Sequence, residues 1–212
     1  MTLVWVTGNS GAGKSTVCEF LKSSGRLAFD ADWEGYSHWA DRAGGNVVAD
    51  PPYPVPAGWL DRFAWKIDRA QVEALAARTH RETAFLCGSA ENEAEVRDLF
   101  DVMICLVVDN ETLLGRLAAR TTNAFGKHPE ELAAALQQND GEESAYRALG
   151  ATIIDGSQPV ADVAAAVLAA VAHQELPVDP AALGGAEELH QVGGVLGGAE
   201  AAQRGLAENR LP

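Results

Sequence analysis

Residues Gly8 to Ser15 read GNSGAGKS: a glycine, four residues, then Gly-Lys-Ser. This is the complete spacing of a phosphate-binding loop, and each fixed position has a chemical reason. Gly8, Gly11 and Gly13 let the backbone take positive φ, so that successive N–H groups through Asn9, Ser10, Ala12 and on to Thr16 form a concave nest for phosphate oxygens. Lys14 adds a mobile positive charge for the β and γ phosphates, and the Ser15 hydroxyl is suited to ligate Mg²⁺. The flanks agree with the motif. LVWVTG reads as a buried strand, and KSTVCEFLKSSG places Val17, Phe20 and Leu21 at helical spacing. Strand, glycine-rich turn and helix follow in order, with the positive end of the helix dipole at the phosphates.

A second pair of chemically able residues is Asp30 and Asp32 in RLAFDAD. Two apart on a strand, they share one face at its carboxyl end, where open α/β sheets bind ligands. Asp32, nearer the end, is the choice for orienting or deprotonating an acceptor hydroxyl while helping to hold magnesium-bound water. Its competing role is to cap a helix starting at Trp33. If this strand end is structural, the turn from Gly88 to Glu93 is the next place to seek the acceptor. Four of the five tryptophans, Trp33, Trp39, Trp59 and Trp65, fall between the second and third strands with Tyr36, Tyr53, Phe63 and His38. Flat aromatic surfaces there suit a ring-shaped acceptor, each stack giving on the order of 1 kcal/mol. The alternative is that they form the core of a cap over the sheet. His38 reads as a polar surface residue.

These residues need a frame, and the chain supplies one. Five apolar runs, LVWVTG, RLAFDAD, TAFLCGS, VMICLVVD and ATIIDGS, alternate with helical patterns over 14–23, 59–79, 91–100, 110–121, 129–149 and 159–173. Alternation of this kind implies a parallel sheet covered on both faces. DPPYPVP, residues 50–56, reads as a stiff extended loop. From Leu176 the composition turns to Gly, Ala, Glu and Pro, so 176–212 reads as a mobile tail with at most a short helix near 199–207. Asp109, ahead of NETLLGRLAAR, reads as a helix cap, with a magnesium-ligand role as its rival.

Bulk properties exclude other classes. A formal charge of -14 argues against a nucleic-acid partner. No apolar stretch reaches the roughly 18 residues of a membrane span, and the first residues do not read as a secretion signal, so a cytoplasmic protein is expected. Cys18, Cys87 and Cys105 lie in apolar patterns without metal-ligand spacing and read as reduced and buried. No NKxD guanine-recognition tetrapeptide occurs, and no apolar strand ends in Asp-Glu as a motor ATPase requires.

From Leu3 to about His173 the chain resembles the small P-loop kinases related to adenylate, shikimate and gluconate kinases. Four regions carry the resemblance: GNSGAGKST, FDAD, LLGRLAART and IIDGSQPVADV. It implies a three-layer α/β P-loop NTPase fold whose five-stranded parallel sheet has the order 2-3-1-4-5. It also implies ATP as donor with Mg²⁺, the metal held through Ser15 and Asp32, and a small-molecule acceptor. Arg116 and Arg120 are similar to the Arg-x-x-x-Arg at the start of the lid, which here runs from about 121 to 130. Arg116 is then expected on adenine and Arg120 on phosphates, with Gly156 and Pro159 in the loop beside adenine. The substrate-binding insertion covers about 33–80, and Asp30, Asp32, Trp33, Tyr36, Gly88 and Arg97 are the acceptor candidates. Lys14, Asp32 and Arg120 are the catalytic candidates within a domain spanning 1–175. Cys87 and Arg97 stand two residues too far apart for the gluconate-kinase pattern, and only Gly88 stands where shikimate kinases place three glycines. A nucleoside or nucleotide acceptor is slightly preferred, against a sugar acid or polyol. A regulatory ATPase without a small acceptor is the reading from another class. Monomer and homodimer both remain open.

Overall fold

The computed structural model describes residues 2–52, 56–79, 82–121 and 125–175. β1 (Leu3–Gly8) is buried along its whole length and runs into the glycine-rich loop and α1 (Lys14–Ser23). β2 (Leu27–Asp30) follows, and then an inserted hairpin, β3 (Ser37–Asp41) and β4 (Phe63–Ile67), with the one-turn helix α2 (Trp59–Arg62) leading into β4. The chain continues through α3 (Arg69–Arg78), β5 (Ala84–Cys87), the short α4 (Glu93–Val96) with a 3₁₀ turn over Arg97–Leu99, and β6 (Val102–Val107). Helices α5 (Asn110–Ala119) and α6 (Pro129–Ala148), strand β7 (Thr152–Asp155) and helix α7 (Val160–Glu175) complete it.

The main sheet has the order β2-β5-β1-β6-β7, and every pairing in it is parallel. Numbered among themselves, its strands stand in the expected order 2-3-1-4-5. Alternation along β1 sends Val4 and Val6 into a core with Val17, Leu21 and Val167 of α1 and α7. Leu3 and Trp5 face a second core with Val72 and Leu75 of α3. The sheet is therefore the middle of three layers, and its carboxyl end is the one where β1 turns into the loop.

The insertion departs from the expected pattern. No continuous helix fills 59–79, because FAWKI alternates as a strand and pairs antiparallel with SHWAD, Trp39 opposite Trp65. Asp68 then starts a new helix, accepting a hydrogen bond from the Gln71 N–H at 3.2 Å. The helix expected over 91–100 shortens to α4 and its 3₁₀ turn. Its first residues are taken by Asn92, which accepts from the Ile67 N–H at 2.9 Å and donates to the Ile67 carbonyl at 3.0 Å. Asp32 caps no helix: the chain bends at Gly35, whose φ is 80°, and returns as β3. Asp109 does cap α5, accepting from the Thr112 N–H at 2.6 Å. All three cysteines are buried. Tyr53, lid residues 122–124 and the tail from 176 lie outside the described residues.

Candidate active site

The glycine-rich loop takes the conformation its sequence requires. Gly8, Gly11 and Gly13 have φ of 134°, 97° and 108°. A Cβ on Gly8 would stand 2.3 Å from the Leu106 carbonyl oxygen, so this position admits no side chain. Gly13 caps α1 without any side-chain hydrogen bond, leaving the first-turn N–H groups free of a competing cap. Ser15 and Thr16 are exposed on that turn. Lys14 folds back, donating from Nζ to the carbonyls of Gly8 at 2.7 Å and Asn9 at 2.9 Å. Burial holds its ammonium below the ordinary lysine value, opposed by the negative charges of Asp32 and Glu142. A nest of this shape with a lysine beside it fits the phosphates of a nucleotide.

α5 and the loop after β7 brace the nest from behind. Arg116 donates to the carbonyls of Gly11 and Ala12 at 3.3 and 3.1 Å, and to that of Gly156 at 2.8 Å. Gly156 approaches so closely that a Cβ there would lie 2.5 Å from the Ala12 carbonyl oxygen. Pro159 is exposed, and its carbonyl accepts from the N–H groups of Asp162 and Val163 in the first turn of α7. Arg120 donates to Ser10 Oγ at 3.2 Å and to the Phe125 carbonyl at 2.7 Å. The described part of the expected lid folds onto α5, where Lys127 donates to the carbonyls of Leu117 and Ala118.

On the other side of Lys14, Asp30 and Asp32 divide their work. Asp30 is buried, and its Oδ1 accepts from the N–H groups of Asp32 at 3.0 Å and Trp33 at 3.3 Å, so it shapes the turn. Asp32 keeps an open edge to solvent and accepts a 2.9 Å hydrogen bond from Trp65 Nε1. Crowding by protein raises its carboxyl above the ordinary range, while Lys14 and the Trp65 hydrogen bond pull it down. Trp33, the next residue, is 70% exposed.

The other aromatics separate. Trp39, Trp59, Trp65 and Phe63 pack on one another, with Trp59 and Phe63 stacked at 4.0 Å and Trp39 and Trp65 edge-on at 5.2 Å. They are mainly the hairpin's own small core, and only Trp65 reaches back to Asp32. Tyr36 is buried in the sheet core, its hydroxyl accepting from Arg78 at 2.8 Å. Gly88 has both backbone groups engaged, donating to the Val6 carbonyl and accepting from Trp5 Nε1. A Cβ on Gly88 would stand 2.4 Å from that of Ala31, so it serves close packing of β2 on β5. Arg97, half-buried with its Nε lacking a hydrogen bond, stands beside Glu93.

Three residues that the sequence reading did not single out belong to this site: Thr7, Glu142 and Tyr146. Glu93 had entered only as the end of the Gly88 turn. One stripe of α6, Ala135, Asn139, Glu142 and Tyr146, docks on the end of β1 and the loop. Asn9 Nδ2 donates to the Ala135 carbonyl at 2.7 Å and to Asn139 Oδ1 at 3.4 Å. The Tyr146 hydroxyl donates to Glu93 Oε1, and Thr7 Oγ1 stands 3.3 Å from that hydroxyl. Burial raises Glu93, and it pushes Glu142 up to about 7 against the pull of Lys14. The spacing 135, 139, 142, 146 is one helix face, and Asn139 and Glu142 on it were the available signal.

Among the described residues no group of three His, Cys, Asp or Glu is arranged to hold a metal ion. Mg²⁺ keeps most of its water and is commonly bound through few carboxylates plus phosphate oxygens, so Ser15 and Asp32 fit it only together with a nucleotide. No described helix is long and apolar enough to cross a membrane.

Comparison with known proteins follows this geometry. The family described as an AAA domain matches residues 4–137. Shikimate kinase from Acinetobacter baumannii, solved in complex with shikimate, is similar in structure with a TM-score of 0.55 at 20% identity, covering 84% of this chain and 96% of that one. A sugar kinase from Janibacter sp. HTCC2649, solved unliganded, gives 0.51 at 20% identity, covering 81% of this chain and 95% of that one. At such identity these likenesses show the fold. No curated protein matches the chain.

Proposed function

The chain belongs to the AAA-domain family, whose matched region holds the phosphate-binding loop, and on that footing we propose that it is an ATP-dependent kinase of a small hydroxyl-bearing metabolite. The observation that carries this reading is Asp32, a carboxylate accessible to solvent, electrostatically coupled to Lys14 and oriented by Trp65. A switch ATPase needs no such group on the acceptor side of its lysine. Phosphoryl transfer asks for alignment, neutralisation of charge on the γ-phosphoryl group and exclusion of water. Lys14, released from the Gly8 and Asn9 carbonyls, supplies charge to the phosphates, and Arg120 adds to it from α5. Asp32 accepts the proton of the acceptor hydroxyl. Mg²⁺, when bound with the nucleotide, supplies further neutralisation, and Ser15 and Asp32 are the residues to hold it or its water. Arg116 with Gly156 shapes the nucleotide side, while Trp33 and Arg97 border the acceptor.

The test is acceptor-dependent ADP release by the full chain, read against nucleosides, nucleotides, sugars, sugar acids and amino sugars. ADP formation that rises with an alcohol and yields its phosphate ester is the expected outcome. ATP hydrolysis indifferent to every alcohol and stimulated only by a protein partner would favour the switch.

A further inference from the structure

Four carboxylates from separate parts of the fold act electrostatically on the Lys14 ammonium, which itself donates to the Gly8 and Asn9 carbonyls: Asp30 at the end of β2, Asp32 in the turn after it, Glu93 on α4 and Glu142 on α6. An acidic cluster alone indicates no ligand, but Glu142 adds an independent observation. It is 4% exposed, its Oε1 accepts a 3.4 Å hydrogen bond from Gln138, and its Oε2 has no hydrogen-bond partner. A buried carboxylate oxygen without a donor is costly. The Asn9 backbone N–H lies near this carboxyl group and holds it down in part, while the side-chain donors of α6 are committed elsewhere. Tyr146 donates to Glu93, and Asn139 donates to the Val108 carbonyl and to Asn110 Oδ1. Arg147 turns outward to Glu143. Lys14 is the cation that compensates Glu142, and on the kinase reading phosphates draw that charge away.

We propose that the acceptor is an amino alcohol or amino sugar, whose ammonium is received by the unpartnered Oε2 of Glu142 beside Glu93 while its hydroxyl meets Asp32. This inference rests on the kinase reading above and narrows it. A carboxylate or phosphate on the acceptor would meet these four carboxylates, offset in part by Arg97 beside Glu93 and Arg120 near Asp32. An ammonium supplies the donor that Oε2 lacks and replaces the charge Lys14 gives up. Burial and the nearby Glu93 keep Glu142 ready to accept either a proton or a cation. The exposed Trp33 ring adds a surface that attracts cations, and the chain's charge of -14 favours their approach.

Matched acceptors test this with the full chain and ATP: glucosamine, glucose and gluconate, then ethanolamine, ethylene glycol and glycolate. The aminated member of a set is expected to exceed its neutral partner in kcat/KM by about tenfold or more. Glu142→Gln should erase that preference by raising KM for the aminated acceptor, while ATP affinity by calorimetry is no weaker, because a negative charge beside Lys14 has been removed. Preference for the neutral or anionic members overturns the inference and leaves the kinase intact. A preference for amines that survives in Glu142→Gln overturns it also. Silence of both sets and of every other alcohol tested removes the kinase reading and this inference with it. The wild-type preference is measurable without any variant, so a poorly folding Glu142→Gln does not shelter the idea.

Discussion

Carboxylates at the ends of β6 and β7 differ from those gathered around Lys14, although the residue types are the same. Asp109 accepts from the Thr112 N–H and Asp155 from the Ser157 N–H at 2.8 Å, and these hydrogen bonds hold both groups below the ordinary carboxylate range. Around Lys14, burial holds Asp32, Glu93 and Glu142 above it. The first set is satisfied by backbone and serves helix starts and turns. The second is desolvated without being fully bonded, which is the condition of groups awaiting a ligand or a proton. The fold is built from the one kind of carboxylate and the candidate chemistry from the other.

The sharpest way to break this comparison is to remove the cation that the second set surrounds. Lys14→Ala should lower turnover roughly 10³-fold, since a preorganised positive charge at the transferring group is lost. Its melting temperature should shift only slightly, because losing the bonds to the Gly8 and Asn9 carbonyls offsets the release of a desolvated ammonium. Full activity would sink the phosphate-loop reading. Asp32→Asn comes next. The amide preserves size and can still accept from Trp65, but it cannot take a proton, so acceptor-dependent ADP formation should fall roughly 10²-fold with ATP affinity nearly unchanged. Should Asp30→Asn show the larger loss, the turn-forming and proton-accepting roles assigned to this pair are exchanged.

What the sequence disclosed follows the same division. The nest, α1, the start of α5 and the strands themselves were legible because they rest on local rules: glycine at positive φ, a cap at Asp109, apolar runs of strand length; the strand order came from the resemblance to small P-loop kinases. Strand β4 was misread as helix because FAWKI is short and flanked by helix formers, and only pairing with SHWAD across more than twenty residues makes it a strand. Glu142 and Tyr146 were missed for a related reason. Their shared helix face was readable, but their meaning comes from the approach of Asn9, Lys14, Thr7 and Glu93, far apart in the chain, which that spacing does not encode. Tyr36 and Gly88 show the converse. Each stands beside chemically able residues in the sequence, yet packing occupies both.

A smaller effect tests the side of the loop away from the carboxylates. Arg116 ties Gly11, Ala12 and Gly156 together, whereas Arg120 reaches the loop through Ser10 Oγ. Arg116→Ala should therefore raise KM for ATP about tenfold and lower stability slightly, by loss of charge-assisted bonds to carbonyls. Arg120→Ala should act mainly on kcat. Equal small changes in both would place α5 outside the nucleotide site.

The gentlest test uses pH, because the two sets of carboxylates bind protons with opposite sign on folding. Asp109 and Asp155 are depressed, so the stability they contribute is present above their unfolded value near 3.8 and is lost only as pH falls through their lower folded values. They are silent near neutrality. Glu142 runs the other way, its folded value near 7 standing above the model-peptide 4.5. Between those limits the folded chain retains a proton that the unfolded chain has released, so stability should decline as pH rises from about 4.5 toward 7. One fully retained proton gives a slope of at most about 1.4 kcal/mol per pH unit, and relaxation around the carboxyl reduces it. Asp32 and Glu93 are shifted in the same direction. Denaturant unfolding without nucleotide should show the decline, and Glu142→Gln should flatten it by removing the largest contributor. A variant slope equal to that of wild type would mean that Glu142 is ionised and compensated in the folded chain, and its place among the unsatisfied carboxylates would be lost.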